Sequence, residues 1–184
     1  IVFIWGFTAV LGALISIDAI PLVWYRMLLA SGFMFLYIKF RKQDLQFPPK
    51  VLAGFLIAGV IIALHWLAFF GAIKISNVSV TLATMSTGAL FASLLEPIFY
   101  KRKVVWYEVL FGLIVVVGLY IIFKVEAENL WGIILALCSS FLGALFSVIN
   151  GKFAAKYEAS VISFYEIFFG SLFITIYLAL SGSF

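Results

Sequence analysis

Residues 51–72 read VLAGFLIAGVIIALHWLAFFGA, twenty-two positions in which His65 is the only side chain able to carry a charge. As a helix rising about 1.5 Å per residue, such a run is roughly 33 Å long, enough to cross a hydrocarbon core about 30 Å thick. The apolar residues follow one another without period-two alternation, so a helix is predicted and a barrel strand is not. A helix that is apolar on every face has lipid or a large core for its solvent. Working outward, runs of the same kind occupy 1–17, 20–40, 77–100, 106–124, 130–150 and 159–180, which makes seven predicted spans. Between them lie breakers and capping residues: Asp18 to Pro21, Pro48-Pro49, Ser76-Asn77, Lys101 to Lys103, Glu126 to Asn129 and Lys152 to Glu158. The predicted class is all-α, a polytopic membrane helix bundle.

Composition agrees. Of 184 residues, 66% are hydrophobic and 11% charged, against about 25% charged in an average soluble domain. That leaves too little polar surface to cover a water-exposed globule. Cys138 is the one cysteine, which excludes a disulfide framework and a cysteine-type metal centre. The net charge of +4 sits in short clusters between apolar runs, so it signals topology and not a nucleic-acid footprint. After spans two, four and six come Lys39, Arg41, Lys42, Lys50, Lys101, Arg102, Lys103, Lys152 and Lys156, whereas spans one, three and five are followed only by Lys74 and Lys124. Nine against two, strictly alternating, predicts a cytoplasmic N-terminus by the positive-inside rule. The expected location is a bacterial inner membrane. The chain starts inside an apolar run at Ile1 and stops just after span seven at Phe184, so it reads as part of a longer protein that would not complete transport by itself.

Displaced by 140 residues, the chain matches itself in places. Asp18-Ala19 falls on Glu158-Ala159, Trp24-Tyr25-Arg26 on Phe164-Tyr165-Glu166, and Ser31, Phe33 and Tyr37 on Ser171, Phe173 and Tyr177. Five spans per repeat is an odd number, so a second copy would enter the membrane inverted, as in many secondary transporters.

Trp5-Gly6-Phe7-Thr8 in span one, Pro21 to Arg26 opening span two, the small and hydroxyl-rich span four and the Gly112 to Gly118 span together resemble the drug/metabolite transporter superfamily, EamA type. Thr87-Gly88 stand where that family often has a mid-span proline. The resemblance implies a ten-helix carrier of small metabolites built from inverted five-helix repeats around a central cavity. Residues 1–125 would be the first repeat and 129–184 the start of the second.

Ionisable groups cost about 2.5–3.5 kcal/mol at mid-helix on insertion scales, so each one in a span invites a function. Arg26, His65 and the Asn77, Thr81, Thr84, Gly88 face of span four are predicted at similar depth from the outer side, and Trp5 at mid-depth in span one. Together they are the candidate substrate cavity. The alternatives are snorkelling for Arg26, an interhelical hydrogen bond for His65, and helix packing for the span-four face and Trp5. In the inner half, Glu96 is expected to pair with the nearby basic cluster, Asn150 ends span six, and Glu166, the repeat counterpart of Arg26, is the candidate coupling residue. Ser139, Gly143, Ser147 and Gly151 form a small-residue stripe suited to close packing. Glu96 precedes Pro97, which is expected to kink span four near its inner end.

An intramembrane enzyme would need a nucleophile dyad or metal motif, and no such motif occurs in the sequence. A channel would need a filter loop, and the turns are too short for one. A purely structural bundle leaves Arg26, His65 and Glu166 unexplained. The expected function is therefore secondary transport of small amino-acid-like or drug-like solutes by alternating access, without catalytic residues, metal or cofactor. Its partners would be the bilayer, a small-molecule substrate, a proton and a second copy in a homodimer, and not nucleic acid.

Overall fold

The computed structural model describes residues 2–125 and 130–182. Eight helical segments follow in order: α1 (Val2–Leu14), α2 (Ala19–Phe40), α3 (Pro49–Ile75), α4 (Val78–Met85), α5 (Gly88–Tyr100), α6 (Trp106–Val125), α7 (Leu130–Ala154) and α8 (Ala159–Ser181). The expected turn at 126–129 lies outside the described residues. Five stretches are long and apolar enough to cross a membrane: α2, α3, α4 with α5 as Val78–Tyr100, α7 and α8. The thirteen-residue α1 and the apolar stretch Trp106–Ile121 of α6 are shorter. The all-α membrane bundle is thus observed. Predicted and observed ends agree best where a breaker sets them, as at Ala19 and Ala159, and α3 extends beyond its predicted run at both ends.

The fourth span is interrupted, and not where a proline would place the break. Pro97 lies inside α5. The discontinuity comes ten residues earlier, at Ser86-Thr87, where the backbone N–H groups of Ser86 and Thr87 turn to the carbonyls of Ala83 and Thr84, three residues back. Their hydroxyls donate to the same two carbonyls, at 2.5 and 2.7 Å. Hydroxyl side chains that compete for the local backbone loosen the α ladder in this way. The regular pattern resumes when the Phe91 N–H donates to Thr87.

Later helices are inserted among earlier ones. α7 packs on α3, α4 and α5, and α8 on α2 and α3, while α7 and α8 have little contact with each other. Where α3 crosses α8 the backbones nearly touch. A Cβ on Gly59 would lie 2.5 Å from the Glu166 carbonyl oxygen, and one on Gly170 would lie 2.7 Å from the Gly59 carbonyl oxygen. Only glycine on both helices permits this approach. α2 and α8 run antiparallel, since Trp24 Nε1 donates to Thr175 Oγ1 at 2.8 Å and Phe35 meets Phe164 further down.

A cluster of buried Ala9, Val23, Met27, Phe70, Ile73 and Ile174 binds α1, α2, α3 and α8 toward the predicted outer side. At the opposite end, Phe47 from the α2–α3 loop meets Phe55, Tyr157 and Tyr165, with ring centroids 5.3–5.8 Å apart. The same loop is tied to α8, for Tyr165 Oη donates to the Leu45 carbonyl at 2.6 Å and Ser160 Oγ to Gln43 Oε1 at 2.7 Å. Trp24 and Tyr100 lie near the ends of their helices. Both are knitted into the bundle, Tyr100 through a hydroxyl donated to the Val148 carbonyl at 2.9 Å.

Helix ends recur at the displacement seen in the sequence. α1 ends at Leu14 and α7 at Ala154, and α2 starts at Ala19 and α8 at Ala159. Asp18 and Glu158 occupy matching N-cap positions in extended backbone, and neither side chain caps its helix.

Candidate functional site

His65 stands near the middle of α3, ten residues before its end, and it is buried with 8% of its surface exposed. Its Nδ1 lies 2.8 Å from the Ser139 carbonyl oxygen and 3.1 Å from Ser139 Oγ. A carbonyl only accepts, so the proton belongs on Nδ1 and the Nε2 lone pair is left free. Ser139 Oγ in turn donates to the His65 carbonyl at 3.0 Å. The ring lies against Gly143, where a Cβ would come within 3.0 Å of it. Two of the four small residues on α7 thus make room for one imidazole.

The next serine does the same for the break in span four. Thr87 Oγ1 shares its one proton between the Thr84 carbonyl and Ser140 Oγ, 3.0 Å away, and Ser140 Oγ donates to the Met85 carbonyl at 3.1 Å. Gly88 faces Ser140 Oγ too, at 3.3 Å from an added Cβ. Thr81 and Thr84 are fully buried, and their hydroxyls donate to the carbonyls of Asn77 and Val80, at 2.9 and 2.8 Å. Asn77 caps α4 by accepting from the Val80 N–H at 2.8 Å. The polar face of span four is therefore occupied with its own backbone and with α7. The residues of α4 that border open space are Leu82 and Met85.

That space is a cavity of about 440 Å³ walled by α1, α3, α4 and α7, with His65, Trp66, Gly143, Phe146 and Ser147 on its lining. A second cavity of about 270 Å³ lies toward the predicted inner side between α7 and α8. Phe146 and Ser147 border both. Asn150 lines the inner cavity and donates from Nδ2 to Glu166 Oε2 at 3.3 Å. Glu166 is 2% exposed, and its Oε1 has no hydrogen-bond partner among the described residues. A buried carboxyl oxygen without a partner is costly, and groups that violate the satisfaction rule concentrate at functional positions.

Arg26 is one helix over, on α2. Its guanidinium carbon lies 5.0 Å from the Trp66 ring centroid and 4.8 Å from that of Phe70. Trp66 also meets His65 edge-on at 5.0 Å, so this indole touches both sequence-predicted groups. Arg26 and His65 both contact this ring but line different cavities, with Trp66 bordering each. Arg26 and Glu166 do not pair. The ion pairs among the described residues are those of Arg102, to Glu96 at 2.5 Å and to Glu108 at 3.1 Å. Glu96 does pair with the basic cluster, as expected. The side chain of Trp5 lies outside the described residues.

Sequence reasoning did not single out Trp66, Phe70 or Phe146. In an apolar run an aromatic looks like any other lipid-compatible residue, and only the α2–α3 pairing shows which rings receive a cation. No group of three or more potential metal ligands occurs among the described residues.

A family model described as the EamA-like transporter family matches residues 1–124. No curated protein and no solved structure matches the chain.

Proposed function

The chain belongs to the EamA-like transporter family, and from that premise we propose that it is a secondary transporter that carries small metabolites across the membrane by alternating access. The observation that carries this reading is the pair of cavities in series along α7, meeting at Phe146 and Ser147. A solute path needs space on both sides of a narrow point, and Phe146 is the side chain at that point with the bulk to open and close it. The recurring helix ends at a displacement of 140 residues, with α2 antiparallel to α8, support an inverted repeat. In that arrangement residues 1–125 form the first copy, residue 129 onward begins the second, seven spans lie in this chain and ten in the whole carrier. The basic loops orient it with the N-terminus in the cytoplasm.

Glu166 is the coupling residue in this reading, with a proton as the ion. Its unpartnered Oε1 can receive a proton, and Asn150 connects it to the inner cavity. The test uses protein expressed from its native reading frame and reconstituted in vesicles loaded with a labelled small-metabolite mixture. Protein-dependent exchange of at least one solute is expected. In Glu166→Gln, accumulation driven by a pH gradient should fall at least tenfold while exchange without a gradient stays within threefold. Absence of any protein-dependent exchange would refute the transport reading. An unchanged pH-driven accumulation in the Gln variant would remove the coupling role alone.

A further inference from the structure

Arg26 carries a full charge about seven residues, or roughly 10 Å, into α2. It makes no ion pair or hydrogen bond among the described residues. Its surroundings are built all the same. α2, α3 and α8 border a half-open cleft of about 160 Å³, with the exposed Arg26 side chain, Val23 and Met27 on one side, Trp66 and Phe70 on another, and Ile167 on the third. The two rings approach the guanidinium within 5.0 Å and hold its position without neutralising it. A ring beneath the guanidinium carbon accepts no conventional hydrogen bond, so the N–H groups stay free for an acceptor. The protein supplies a fork of donors and an apolar wall, and among the described residues no anion meets that fork.

We propose that this cavity recognises a small organic acid, the carboxylate docking edge-on to Arg26 and the apolar body lying against Trp66, Phe70 and Met27. This assigns the substrate class of the transporter and so rests on the transport reading above. Planar carboxylates match the guanidinium fork through two parallel hydrogen bonds. One cation balances one negative charge, and the remaining walls are apolar, which disfavours a dianionic phosphate monoester. The volume suits a molecule of few heavy atoms and excludes a nucleotide. A lipid phosphodiester offers the same single charge and can also approach the exposed Arg26, so the test separates the two anion sources.

The test is binding of 4-fluorophenylacetate and of its neutral twin 4-fluorophenylacetamide, followed by fluorine NMR line broadening. The protein is expressed from its native reading frame and held in phosphatidylcholine nanodiscs. The acid should bind at least tenfold more tightly than the amide. Arg26→Gln should weaken acid binding at least tenfold and leave the amide within twofold, and Arg26→Lys should recover part of the loss because charge remains without the fork. Equal binding of acid and amide, or undiminished acid binding in Arg26→Gln with an unchanged melting profile, overturns the proposal. Nanodiscs containing phosphatidylglycerol separate the two anion sources. Acid binding retained there supports the assignment, and acid binding abolished there gives the fork to lipid phosphate and overturns it. Acid-selective binding without solute exchange in vesicles would uphold the site and refute transport. Exchange with equal binding of acid and amide would do the reverse.

Discussion

Two arginines in this molecule have opposite company. Arg102, at the predicted inner end of the α5–α6 pair, has two carboxylates, Glu96 at 2.5 Å and Glu108 at 3.1 Å. Arg26, in the wall formed by α2, α3 and α8, has two aromatic rings and no carboxylate among the described residues. The first arrangement closes a charge network with material from the chain itself, as a structural ion pair does. The second holds a cation in place and leaves its donors open. Similar side chains thus serve different ends, and the difference lies in what the surrounding helices supply.

The sharpest way to break the comparison is to remove the wall behind Arg26. Gly170→Leu would drive a side chain into the Gly59 backbone, which cannot retreat, and into Met27. Overpacking of this kind costs about 1–3 kcal/mol or more, so the monodisperse fraction on size exclusion should fall severely. Gly32→Leu is the control, because nothing lies within 4 Å of a Cβ there, and its yield should match the parent. Equal yields for both variants would contradict the described crossing of α3 and α8.

A smaller effect separates the two cations. Arg102→Gln leaves Glu96 and Glu108 facing each other without a counter-charge. The network is about one-third exposed and such pairs contribute on the order of 1 kcal/mol or less, so the thermal midpoint should drop by only a few degrees. Fluorophenylacetate binding should stay within twofold. If Arg102→Gln weakened acid binding as much as Arg26→Gln, the distinction between a closed and an open cation would collapse.

The smallest expected effect is Ser140→Ala. It removes the hydrogen bonds to Thr87 and Met85, each with a net value of about 1 kcal/mol. Amide hydrogen exchange should rise at residues 86–90 and stay unchanged in α8. Uniform acceleration across the bundle would mean that the span-four break is not held locally.

The helices were legible because each apolar run is bounded by a charge, a proline or a capping residue. Ala19 and Ala159 follow acidic N-cap positions, and α3 begins at Pro49 of the Pro48-Pro49 pair. The break at Ser86-Thr87 was not legible, since a hydroxyl in a helix can point away or bond back to its own carbonyls with the same sequence. Arg26, His65 and Glu166 stood out through the cost of charge and polarity in hydrocarbon. Their arrangement did not, because it depends on helix rotation, and a span apolar on every side carries no periodicity to set that rotation. Trp66 is the plain instance: in the sequence it is one more aromatic beside His65, and in the fold it touches both His65 and Arg26.

Ser139 and Ser140 are neighbours on α7, so their side chains leave the helix about 100° apart. One grips His65 on α3 and the other grips the interruption between α4 and α5. α7 is thereby an axle with two pawls at one height. Turning or sliding α7 would strain both contacts together, which ties α3 and the two halves of span four to one helix. Each hydrogen bond in these engagements has a net value of about 1 kcal/mol, enough to help keep the parts in register.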